Sequence, residues 1–87
     1  MNEIKSIYLV GGKHFFSKEK NKDYFTLDFL IMSESGDSIV FKEFCSEDCY
    51  NSARRLLDTE DMPLIPNENL VTYISNGSLF TRINIEE

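Results

Sequence analysis

Lys13, Lys18, Lys20 and Lys22 crowd the stretch before Tyr24, and this mixture of ammonium groups and a ring is the part of the chain best suited to chemistry. Ammonium groups meet phosphates. A flat ring offers a face on which a base stacks, each stack being worth ~1–3 kcal/mol. Lys42, Tyr73, Phe80 and Arg82 repeat the pairing of cation and ring further along, and His14 and Phe16 supply two further rings. Lys13, Lys18, Lys20, Lys22, Tyr24, Lys42, Tyr73, Phe80 and Arg82 are therefore the candidate nucleic-acid-binding residues. The competing reading of Lys18–Asp23 alone is a solvated hairpin loop.

Catalytic constellations are not found. Gly11-Gly12 lacks the further glycines and the Lys-Ser/Thr of a phosphate-binding loop. Cys49 and His14 can be drawn as nucleophile and base, but Cys49 falls in an apolar helical stripe, which suits a buried structural thiol better. Glu47 and Asp48 are neighbours on a helix and so point to different sides, a poor arrangement for a shared proton. Zinc needs about four ligands, and one His with Cys45 and Cys49 does not supply them. The expectation is a non-enzyme without metal or cofactor.

Charge is uneven. Residues 1–22 hold Lys5, Lys13, Lys18, Lys20 and Lys22 against Glu3 and Glu19, a net +3, which leaves −9 for the remainder of a chain whose total is −6. The total argues against indiscriminate nucleic-acid binding, whereas the local excess permits a confined anion-binding surface. Seven Phe and four Tyr in 87 residues are a heavy aromatic load for one small domain; any ring at the surface needs an explanation, and a Phe-rich core is the favoured reading for a single ring. No apolar run approaches the ~20 residues of a membrane span. No signal peptide is read at the start, and two free thiols fit a cytoplasmic setting.

These residues need elements to position them. Ile4–Val10 is β-branched and aromatic, bends at Gly11-Gly12 and continues through His14–Phe16; Ser17–Asp23 then reads as a loop. Tyr24–Met32 alternates: Phe25, Leu27, Phe29 and Ile31 form a core face, and Tyr24, Thr26, Asp28, Leu30 and Met32 the other. Gly36-Asp37 marks a turn into Ser38–Cys45, whose faces are ambiguous. Ser46 suits an N-cap, Glu47 and Asp48 suit a first turn, and Cys49, Ala53, Leu56 and Leu57 make an apolar stripe to about Asp58. Met62–Pro66 ends the helix. Leu70–Ser75 and Ser78–Ile85 flank Asn76-Gly77, a strong hairpin signal that sets Leu70 opposite Ile83 and Tyr73 opposite Phe80. Leu70, Thr72, Ile74, Leu79, Thr81, Ile83 and Ile85 are its expected core face.

The order β-β-β-α-β-β in a single domain predicts a mainly β, five-stranded OB-like barrel with one short helix plugging an open end. An open α+β sheet satisfies the same order. The lysine-containing first loop, the KDYFTLDFLI strand, the lone helix and the YISNGSLF hairpin resemble the small OB-type single-stranded-DNA-binding proteins of phages and conjugative elements, over roughly residues 4–85. That resemblance implies a non-catalytic binder of single-stranded DNA or RNA, derived from a phage or mobile element, with Lys18, Lys20, Lys22, Tyr24 and Phe80 meeting phosphates and bases. It also implies a homodimer. The alternative is an acidic protein-binding module or inhibitor.

Overall fold

The computed structural model describes residues 4–75, 78–83 and 85; the side chains of residues 67, 70–75 and 78–82 lie outside that description. The elements run β1 (Ile4–Ser17), β2 (Lys22–Ser33), β3 (Ser38–Cys45), α1 (Glu47–Thr59), β4 (Leu64–Ile65), a 3-10 turn at Asn67–Asn69, β5 (Leu70–Ser75) and β6 (Ser78–Ile83). β3, β2, β1 and β4 form an open antiparallel sheet in that spatial order, and β5 pairs with β6 as a separate hairpin. The molecule is thus mainly β, with one helix between its third and fourth strands.

The alternation of β2 does what its pattern predicts. Leu27, Phe29 and Ile31 are buried, and they meet Ile7, Leu9, Ala53, Ile65, Ile83 and Ile85 in one core. Four side chains, Phe29, Ile7, Leu9 and Leu27, are fully enclosed, each contributing ~1.5–3 kcal/mol of burial. α1 lies against β1 and β2 on this inner face. Its start is capped as expected: the Cys49 N–H donates to the Ser46 hydroxyl at 3.1 Å, satisfying one of the unpaired donors of the first turn. Cys49, Leu56 and Leu57 pack on the core beside Ala53.

The first strand is irregular where glycines were expected to bend it. Leu9 stands opposite Phe29 but Gly11 stands opposite Asp28, so Val10 is an extra residue that the partner strand does not match. A bulge of this kind reverses which residues face inward. Before it, Ile7 and Leu9 point to the core. After it, Lys13 and Phe15 share a face with Tyr24 and Thr26, away from the core, while His14 and Phe16 lie on the helix side. Gly12 falls where the helix comes closest; a Cβ there would stand 3.2 Å from Leu27 Cδ2 and 3.3 Å from Tyr50 Cε1.

Three expectations need correction. The first loop is shorter than Ser17–Asp23: β1 and β2 continue to the pair Ser17–Lys22, and only residues 18–21 turn, with Asn21 at φ 52° and the Lys20 N–H donating to the Ser17 hydroxyl. β4 has no counterpart in the predicted strands; it is the two-residue edge strand between Pro63 and Pro66, held by the pairs Ile7–Ile65 and Tyr8–Leu64 and by the Leu9 N–H to Pro63 carbonyl bond of 2.9 Å. Finally, the described strands do not close into a barrel. Prolines on both sides cut the β4 ladder short, and the 3-10 turn redirects the chain into a hairpin that, among the described residues, has no backbone ladder to the main sheet. Among the described residues a side chain links β6 to β3: the Ile83 N–H donates to Glu43 Oε2 at 2.9 Å.

The pairing of the last hairpin follows the expected register throughout, from Leu70–Ile83 to Ser75–Ser78. Its predicted turn, Asn76-Gly77, lies outside the described residues.

Candidate functional site

The outer face of the sheet, opposite α1, carries a row of rings across three adjacent strands. Phe15 of β1 stacks on Tyr24 of β2 with centroids 5.6 Å apart and planes 23° from parallel. Tyr24 meets Phe44 of β3 edge-on, at 5.9 Å. Such offset and edge contacts are the favoured aromatic geometries, worth ~0.5–1.5 kcal/mol beyond their area. The row is nonetheless open to solvent: Phe44 is 63% exposed and Phe15 37%. Thr26, which stands between Lys13 and Phe44 in register, is buried among its neighbours.

Cations border this row. Lys22 Nζ lies 5.6 Å from the Tyr24 ring centroid, within the range of cation–π attraction. Lys13 is exposed on the same face, one same-face step from Phe15. Lys42, also exposed, sits next to Phe44 along β3 with Nζ 3.8 Å from Asp28 Oδ1. Lys18 and Lys20 project from the turn that closes the β1–β2 ribbon. The structure therefore brings Lys13, Lys22, Tyr24 and Lys42 onto one surface and leaves Lys18 and Lys20 at its tip. The side chains of Tyr73, Phe80 and Arg82 lie outside the described residues.

His14 and Phe16, the two further rings of the sequence reading, lie on the opposite face from Tyr24. The His14 ring stacks on Phe25 at 4.5 Å and 15°, and its Nε2 is 2.9 Å from Asp23 Oδ1. Phe25 in turn contacts Tyr50 of α1 at 5.1 Å. This second cluster faces the helix and ties the ribbon to it. Phe16 is exposed on the same side. Cys49 is half-buried with its Sγ 3.9 Å from the Ile85 carbonyl oxygen. Among the described residues no group of three or more His, Cys, Asp or Glu side chains is placed to hold a metal ion.

Sequence reasoning missed Phe15 and Phe44. The signal for Phe44 was present, since Val40, Lys42 and Phe44 alternate together; pairing Thr26 with Phe44 assigns that set outward. Phe15 carried no such signal, because the bulge at Val10 reverses its face. Val40 and Leu64 add exposed apolar surface to the same side.

Compared with known proteins, the chain matches no family model, no curated protein and no solved structure.

Proposed function

We propose that this protein is a non-catalytic binder of single-stranded nucleic acid and that the outer face of its sheet is the platform. The observation that carries the reading is the row Phe15–Tyr24–Phe44, open to solvent and bordered by Lys13, Lys22 and Lys42. Rings on three neighbouring strands, Phe15 and Phe44 exposed and Tyr24 half-buried between them, offer stacking faces, and the ammonium groups flank the path that a phosphate backbone would follow. The finer OB-like reading of the fold is supported by two contacts, β4 on the edge of β1 and Glu43 of β3 on the Ile83 N–H of β6. These are the directions in which such a barrel would close, and a partly open barrel uses this strand face for ligands.

The test is fluorescence anisotropy with labelled oligo-dT. Binding at low salt that weakens steeply as salt rises is the expected result, because each neutralised phosphate releases counterions. The absence of any anisotropy change at low salt overturns the reading.

A second reading draws on Val40 and Leu64, both more than half exposed on the same face as the rings. A sheet face that keeps apolar side chains in the open suits a protein partner that covers it. Specific capture of one such protein, with no oligonucleotide affinity, would favour it over the first.

A further inference from the structure

We infer that the outer half of β1 pairs antiparallel with the same stretch of a second copy of this chain, joining two sheets edge to edge. The contact does not depend on what the outer face binds. One edge of β1 is taken by β2 along nearly its whole length. The other meets β4 only at Ile7 and Tyr8, and the Leu9 N–H ends that contact on the Pro63 carbonyl. From Val10 to Ser17 no strand covers this edge among the described residues. Lys13, His14, Phe15 and Phe16 are exposed in succession, with rings on both faces of the strand. The stretch holds no proline and, His14 aside, a single charged side chain, Lys13. Prolines and charges are what blunt native edges, and an open apolar edge is a template for another strand. The sheet's other edge, β3, differs: Glu43 tethers the last hairpin to it through the Ile83 N–H.

A second copy fits because the edge complements itself. A two-fold axis through the sheet makes the pairing isologous and keeps each face on its own side. Lys13, Phe15 and Ser17 then oppose one another on the outer face, and His14 and Phe16 on the helix side. Lys13 opposite itself would set two ammonium groups together, which destabilises a strand pair. His14 opposite itself would leave Phe16 facing Gly12, with no side chain to pack on. Phe15 opposite itself sets ring against ring, His14 against the second copy's Phe16, and Lys13 against its Ser17, and aromatic cross-strand pairs are among the favoured ones. The row of rings then runs unbroken from one Phe44 to the other across six strands, with each α1 on the opposite face.

Charge favours the same alignment. It sets Lys18 opposite the second copy's Gly12, so the turn that carries Lys18 and Lys20 ends beside the segment leading into its Pro63. Glu60 and Asp61 are exposed in that segment. The cationic tip of each copy therefore meets an acidic stretch of the other, and the two-fold axis repeats the contact. Opposite charges matched in this way fix register as well as partner.

The test uses the unsubstituted protein without nucleic acid. Sedimentation at about 100 μM chain, ample for an association with a Kd of ~1 μM, should give twice the mass of one chain. Raising the concentration into that range should slow exchange at alternate amides between Gly12 and Ser17 by at least about tenfold and leave Ser38–Phe44 unchanged. Cysteines then check the alignment in a chain carrying Cys45→Ser and Cys49→Ser. Phe15→Cys should oxidise to a covalent dimer, because directly opposite Cβ atoms lie ~4.5–5.5 Å apart, near disulfide reach. Phe16→Cys, diagonal to its own copy at ~7–8 Å, should not. A monomer at about 100 μM overturns the inference, as does a dimer whose new protection falls outside β1. Faster cross-linking of Phe16→Cys than of Phe15→Cys overturns the alignment. Mass and exchange need no variant, so they decide the matter even if the cysteine variants do not fold.

Discussion

Phe16 and Phe44 are both more than half exposed, yet only Phe44 lies in the row with Tyr24. Phe44→Ala should weaken oligo-dT binding by at least about fivefold, the low end of what one base stack contributes. Phe16→Ala should leave it within about twofold. Equal losses in an anisotropy titration would mean that general ring content, not this row, holds the strand. Gly12→Ala is a stability test at the same scale. The added methyl meets Leu27, Tyr50 and the Thr26 carbonyl at once, and overpacking of this kind costs ~1–3 kcal/mol, readable as a lower urea midpoint. Individual residues were legible where period two alone decides: Leu27, Phe29 and Ile31 inward, Tyr24 outward. Phe15 was not, because its orientation depends on one unmatched residue upstream, and nothing in the local pattern announces a bulge at Val10 rather than at the glycines beside it.

At the level of elements, α1 and the last hairpin were readable because their signals are local. Ser46 followed by Glu47 and Asp48 makes a helix start, and the apolar stripe through Ala53 fixes the face that packs. Ser46→Ala should cost ~1 kcal/mol of stability, the usual loss of an N-cap hydroxyl, measured by denaturant melting. β4 was hidden for the opposite reason. Two residues between prolines have no period to detect, and their place on the edge of β1 is set by tertiary pairing. Closure was hidden likewise, since it depends on whether β6 meets β3 through backbone or through a side chain. Here Glu43 takes the Ile83 N–H. A hydrogen bond to a charged group is worth ~1.5–3 kcal/mol, so Glu43→Ala should speed amide exchange at Ile83 by about tenfold or more while exchange in β2 stays slow. Unchanged protection at Ile83 would show that the hairpin is held by other contacts.

The molecule as a whole is acidic, yet three of its lysines converge on the outer face. If Lys13, Lys22 and Lys42 are the groups that meet phosphates, the logarithm of affinity should fall against the logarithm of salt with a slope of about −2, from ~0.7 per phosphate contact on a single strand. A slope near zero would point to a protein partner for this surface instead. One consequence of the glycine pair concerns alignment. Were the outer half of β1 to slide by one position and iron out the bulge, Gly11 would take the place of Gly12 beneath Tyr50, and neither carries a Cβ to collide there. Sterics at the helix thus leave both alignments open, and the contacts that reward one over the other are the ring pairs further out, His14 on Phe25 and Phe15 on Tyr24. The aromatic groups offered to a ligand are in this sense also the pawl of a ratchet: trimming Phe15 would blunt the surface and unlock the frame in which that surface is counted.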